Sequence, residues 1–140
     1  MHLRGETLHP GSASGILLVL DEPLSFWGGS DRDGTIVDRH HPQRGQSFSG
    51  RVLAMRSGRG SSSSSYVLAE QLRRGTGPAA IVLAEPDAII VLGALVAREL
   101  YGRSIPVVLV SVSELAELAE LAELAELAGM PGGSPVDVTA

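Results

Sequence analysis

The 140-residue chain contains no cysteine and no lysine. The first absence excludes disulfides, thiol catalysis and any cysteine-held metal cluster within this chain. The second excludes a Walker phosphate loop, whose pattern needs a lysine. Aromatic side chains are scarce, with one Trp, two Tyr and two Phe. Apolar burial therefore rests on Val, Leu, Ile and Ala. No apolar run is long enough to span a bilayer. The opening residues, MHLRGETLHPGSASG, lack the apolar stretch of a signal peptide. A cytoplasmic protein without membrane contact is the expectation. Strongly basic character is missing too: the net charge is -5 and the pI about 5.3. Scattered arginines and few aromatics argue against a nucleic-acid partner.

What is present suits one compact domain, with 44% hydrophobic residues. GILLVL (Gly15 to Leu20) is a short apolar run between Gly and Asp-Glu-Pro, and reads as a buried strand. A long polar loop follows, Trp27 to Ser47. GRVLAM (Gly50 to Met55) is a second strand. YVLAEQLRR, after the serines, has helical composition, with Leu68 and Leu72 on one face and Gly75 as the stop. Ala79 to Ala84 and Ile105 to Val112 read as strands, with Pro78 and Pro106 near their starts. Ala88 to Leu92 reads as a further short strand before a helix, Gly93 to Gly102. Strands alternating with helices predict an α/β domain with a partly parallel sheet.

Five glutamates lie in ELAELAELAELAELA, residues 114–128, and without them acids and bases balance at 11 each. Its leucines recur every three residues. Each falls about 60° behind the last on a helix, so the stripe winds around the axis. The composition predicts a helix whose first turns dock and whose later turns are loosely held. The final segment, 129–140, reads as a disordered tail.

The segment with chemical promise is SGRGSSSSSYVLAE, Ser57 to Glu70. A strand leads into Gly58, Arg59 and Gly60, then five serines, then a helix. Glycines permit tight backbone, and Ser61 falls where an N-cap is expected. The free N–H groups and dipole of a helix start favour an anion and lower the cost of deprotonating a hydroxyl. A Ser-His-Asp hydrolase lacks its nucleophile elbow. A plain capping loop accounts for the same residues.

Elsewhere the signals are mostly structural. His40 and His41 are adjacent, and no third ligand has suggestive spacing, so no metal site is expected here. His40 and His41 read as structural or solvent-exposed, with an interface or loop-anchoring role as the alternative for His41. Asp38 reads as a plain loop residue or a brace of the same loop, and Trp27 as core or interface anchor. Glu85 and Asp87 read as turn residues at a strand end. Asp31 and Asp33 carry no assigned role.

Several separated stretches together resemble the small subunit, or swivel domain, of the aconitase X family. They are WGGSDRDGTIVDRHHPQRGQ, GRGSSSSSYVL, IVLAEPDAIIVLGA and IPVV. The chain departs in having DRDGT where the family tends to show Asp-Pro and Thr-Gly. The resemblance implies a swivelling β/β/α-type single domain over residues 1–112, a small barrel-like sheet flanked by helices. Residues 113–128 form an added helix without a family counterpart.

The resemblance also implies a function. Aconitase-like enzymes remove water from hydroxy acids, with one iron of an iron–sulfur cluster acting as a Lewis acid on the leaving hydroxyl. This chain binds no cofactor in that scheme. The cluster is expected on a large aconitase X-type subunit, in a heterodimer or higher assembly, and the small chain is inactive alone. The swivel domain supplies a serine that takes the carbon-bound proton. The family's Gly-Ser-Ser matches Gly60, Ser61 and Ser62, with Ser61 the expected base and Ser62 the alternate. Substrate contacts are expected from Arg59, Gly60 and Ser62. The Arg that follows the serine pair in classical aconitases is replaced by Ser63 and Ser64. Two substrates recur in the family, cis-3-hydroxy-L-proline and mevalonate 5-phosphate. The all-arginine, Ala- and Gly-rich composition hints at a GC-rich genome and tilts the reading slightly to the first. The phosphate of the second asks for extra cationic contacts, which Arg56 and Arg59 could supply. A non-catalytic anion-binding module and a purely structural interaction protein are the alternatives.

Overall fold

The computed structural model describes residues 1–130 and 133–140. Seven strands form one mixed sheet: β1 (His2–Arg4), β2 (Glu6–His9), β3 (Ser12–Val19), β4 (Val52–Met55), β5 (Ala80–Leu83), β6 (Val107–Leu109) and β7 (Pro135–Thr139), in the order β1-β7-β3-β4-β5-β6-β2. The central four, β3 to β6, are parallel. β7 runs antiparallel to β3, and β2 antiparallel to β6. The two edge strands β1 and β2 are consecutive in the chain and joined through Gly5 alone. The sheet therefore curls into a half-barrel, with Gly5 linking its two edges. This is the barrel-like sheet that was expected.

Alternation along the strands builds two cores. Beyond the one-turn α1 (Phe26–Gly29), Leu18, Leu53, Met55, Ile81, Leu83 and Val107 pack with α2 (Ser64–Arg74) and α3 (Ala88–Tyr101). Their neighbours Leu17, Val52, Ala54, Ala80, Val82 and Val108 face the other way and pack with α4 (Val112–Leu127). The period of two is what places successive side chains on opposite faces.

Three sequence expectations change. Ala88–Leu92 is not a strand: it is the first part of α3, because the Asp87 carboxylate accepts the N–H groups of Ile89 and Ile90 and starts a helix there. The tail is not disordered through its length: Val136 and Val138 are buried, and β7 sits between β1 and β3. Residues 131 and 132 of that predicted tail lie outside the described residues. The cap of α2 is Ser63 rather than Ser61. Serine hydroxyls compete for nearby backbone N–H groups. Ser61 Oγ accepts from Ser63 N–H at 3.1 Å and Ser61 C=O from Ser64 N–H at 3.0 Å, so a tight turn precedes the helix.

A capping box of Ser111 and Glu114 opens α4. Its buried face runs through Leu118 and Ala125, with Leu115, Leu121 and Ala122 half-buried against the same core. The leucine stripe has rotated away by Leu124 and Leu127, which are 62% and 79% exposed. Alanines take over the contact where leucines leave it.

Candidate functional site

The C-terminal ends of three adjacent parallel strands converge on the serine turn. β3 leads to Leu24–Phe26, β4 to Gly58–Ser64 and β5 to Asp87–Ile90. Residues from all three line a small cavity of about 180 Å3. Sites in open parallel sheets form at this end, where loops gather over the strands. A larger cavity, about 720 Å3, lies between β3 and α4 beside Arg51, Glu123 and Glu126, and none of the predicted site residues line it.

The turn is held at both ends and open at its tip. Gly58 N–H donates to Asp87 Oδ2 at 3.1 Å, and Arg59 N–H to Leu24 C=O at 3.2 Å. Downstream, buried Ser64 accepts Trp27 N–H at 3.2 Å, while Ser65 Oγ donates to Ser62 C=O at 2.8 Å. Between them Gly60 adopts φ 93°, and a Cβ there would lie 2.5 Å from Ser25 Oγ. Only glycine fits both the left-handed backbone and the close approach. Ser61 and Ser62 are exposed. Among the described residues, the N–H groups of Gly60, Ser61 and Ser62 have no hydrogen-bond partner. Three free donors near the N-terminal end of α2 favour a bound anion, and the Ser63 N–H on Ser61 Oγ favours negative charge on that hydroxyl.

Arg59 reaches across to Asp38, with Nη2 donating to Oδ2 at 2.9 Å. Asp38 Oδ1 accepts the His40 N–H at 2.9 Å. That backbone N–H, followed by Arg59, holds the Asp38 carboxyl below its usual range. The guanidinium has five donors and uses one here, so it can still meet a carboxylate. Arg56 is paired with Glu85 at 3.0 Å.

Arg59, Gly60, Ser61 and Ser62 all lie exposed on the turn. The bracing residues are also in place. His41 is buried, with one ring nitrogen 3.0 Å from Glu22 C=O and the other accepting Gln43 N–H at 3.0 Å. Both nitrogens are occupied, so His41 anchors the loop. Asp31 Oδ1 accepts the N–H groups of Asp33 and Thr35, closing a turn. Trp27 is 57% exposed, which removes the core reading and leaves the interface one. Asp87 and Ser64 were missed as parts of the site. An Asp directly before an apolar helical run is the cap signal that marks Asp87. Nothing local marks Ser64 apart from its neighbours.

The chain's own residues do not fit an iron–sulfur cluster. It has no cysteine, and among the described residues no three His, Asp or Glu side chains gather to hold a metal. Among the described residues, too, no helix is long and apolar enough to cross a membrane.

A curled α/β sheet that gathers one exposed serine turn at its parallel strand ends defines a swivel-type domain. The chain belongs to the aconitase X swivel domain family, whose profile matches residues 2–129. It is 55% identical over 102 residues to a cis-3-hydroxy-L-proline dehydratase of Pseudomonas aeruginosa, and 44% identical over 114 residues to one of Hypocrea jecorina. Those matches cover 72% and 81% of this chain but only 18% and 19% of the two relatives, so the chain spans under a fifth of their length. A phosphomevalonate dehydratase small subunit of Thermococcus gammatolerans is 39% identical over 98 residues, covering 69% of this chain and 75% of that subunit. In structure, the chain resembles Thermococcus kodakaraensis aconitase X, crystallised in its holo form, with a TM-score of 0.68 at 34% identity over 76% of this chain and 78% of that one. The solution NMR structure of a UPF0107 protein gives 0.74 at 30% identity, over 98% and 91% of the two chains.

Proposed function

We propose that this chain is the swivel part of an aconitase X-type hydro-lyase that dehydrates a small hydroxy acid, with Ser61 as the base. The observation that carries the proposal is the exposed Ser61 hydroxyl, which accepts the Ser63 N–H at 3.1 Å in a turn whose Gly60, Ser61 and Ser62 N–H groups have no partner among the described residues. An unperturbed serine is too weak a base at neutral pH. A donor fixed on its oxygen favours the alkoxide, and the effect grows when water is excluded. A large aconitase X-type partner closing over the turn supplies that exclusion and carries the iron–sulfur cluster. Ser61 then takes the carbon-bound proton as the neighbouring hydroxyl leaves and a double bond forms. Arg59, with Gly60 and Ser62, holds the substrate carboxylate. A cytoplasmic location goes with this reading, because cluster-binding thiolates stay reduced there.

The substrate we favour is cis-3-hydroxy-L-proline, supported by the 55% and 44% identities to dehydratases of that name. Mevalonate 5-phosphate is the second reading. It is supported by a coverage of 75% of the length of a phosphomevalonate dehydratase small subunit. The test is anaerobic reconstitution with the large partner, followed by dehydration assays on both substrates with wild type and Ser61→Ala. Turnover of one substrate, lost in Ser61→Ala while the complex still forms, is the expected result. A cluster-loaded complex that turns over neither would overturn the reading in favour of an anion-binding module. Full activity in Ser61→Ala would move the base to Ser62.

A further inference from the structure

We infer that Asp87 is a positioning residue for Ser61, because one carboxylate ties the serine turn to the start of α3. Its two oxygens have separate tasks. Oδ1 accepts the N–H groups of Ile89 and Ile90 at 3.0 and 3.2 Å, capping α3. Oδ2 accepts Gly58 N–H at 3.1 Å, three residues before Ser61. The approach depends on the missing side chain at position 58, since a Cβ there would lie 2.7 Å from Oδ2 and 2.9 Å from Ile90 Cδ1. The negative charge also sits favourably at the N-terminal end of a 14-residue helix.

The consequence for the turn follows from what holds its other points. Arg59 is fixed through its backbone to Leu24 and through its side chain to Asp38. Ser64 is fixed to Trp27. The tip between them, Gly60 to Ser62, donates no backbone N–H bond among the described residues, and on its downstream side the Ser61 and Ser62 carbonyls accept the N–H groups of Ser64 and Ser65. Its position is therefore set by its two anchored ends, and Asp87 is the anchor that refers the upstream end to a rigid helix packed on the sheet. Misplacing a reacting group by about 1 Å costs on the order of 100-fold in rate, so an anchor three residues away affects turnover without touching substrate. The inference rests on the dehydratase reading for its catalytic part.

Asp87→Asn separates the two tasks. Asn caps helices about as well as Asp. Its amide oxygen can serve Ile89 and Ile90, but its NH2 cannot accept from Gly58. In the reconstituted complex, Asp87→Asn should lower kcat by about 10- to 100-fold with KM changed less than about threefold. Hydrogen exchange at the Gly58 amide should accelerate at least about tenfold, with Tm within a few degrees of wild type. Wild-type kcat in Asp87→Asn, or unchanged Gly58 protection, overturns the inference. If wild type turns over neither substrate, the dehydratase reading and the catalytic part of this inference fall together. The exchange measurement on the same two proteins then still decides the clamp, with an unchanged Gly58 amide refuting it.

Discussion

Gly60→Ala is the sharpest perturbation of the serine turn, because two independent costs meet at one methyl group. Gly60 has φ 93°, and an L-residue forced into left-handed backbone loses about 1–2 kcal/mol. The new Cβ would also lie 2.5 Å from Ser25 Oγ and 3.0 Å from Ser25 Cβ. Ser25 cannot simply rotate away, since its hydroxyl donates to Trp27 C=O at 2.6 Å. Overpacking of this kind costs about 1–3 kcal/mol. The sum, roughly 2–5 kcal/mol, is an upper bound on global stability, because the turn can distort locally to escape part of it. Urea unfolding of the four proteins in a double-mutant cycle separates the two costs. In a Ser25→Gly background the clash is gone, and Gly60→Ala should cost only about 1–2 kcal/mol. Turnover should fall in Gly60→Ala and recover only in part in the double variant, because the backbone strain remains. A Gly60→Ala protein with wild-type stability and turnover would refute the reasoning. Equal costs in the two backgrounds would refute the clash.

Three substitutions test the packing of the C-terminal region by denaturant unfolding. Leu118→Ala, at a nearly closed site, should cost about 2–5 kcal/mol, and Val138→Ala about 2 kcal/mol. Leu127→Ala, on the exposed side of the same helix, should stay within about 0.5 kcal/mol. A further expectation concerns acid. The Asp38 carboxyl titrates below its ordinary value, through the His40 N–H first and Arg59 second. A group with a lowered folded pKa contributes stability that is fully present above the unfolded value and lost as pH falls through the folded one. The stability difference between wild type and Asp38→Asn should therefore be constant above about pH 5 and shrink as pH drops below the ordinary carboxyl value of 3.8. A difference that stays constant to the acid limit would show that the Asp38 contacts do not form in solution.

Much of the site was legible in the chain because it depends on local pattern. Apolar runs bounded by Gly and Pro marked β3, β4, β5 and β6, since a strand buried on both faces needs such runs. Gly58 and Gly60 before a helical stretch marked the serine turn. Alternation of charge and leucine marked α4, and the three-residue period foretold that its leucines would not all face inward. The roles of Asp38 and His41 stayed open until their hydrogen bonds to His40, Arg59, Glu22 and Gln43 placed them as loop braces.

The rest depended on contacts between residues far apart in sequence. β7 looked like a tail because its sequence, PVDVT, is short and follows Gly-rich chain. Its burial comes from β1 and β3, whose residues lie more than a hundred positions earlier. Ala88–Leu92 was ambiguous between strand and helix by composition alone, and the Asp87 carboxylate decided it. The cap of α2 moved to Ser63 because Ser61 forms a turn of its own, its Oγ accepting Ser63 N–H and its C=O accepting Ser64 N–H, which only the folded backbone reveals. The sequence by itself determined which residues could form a glycine-bounded serine turn before a helix. The tertiary structure decided that Asp87, Leu24 and Trp27 hold its ends, because hydrogen bonds across 29 to 37 positions exist only once the parallel strands bring their C-terminal ends together.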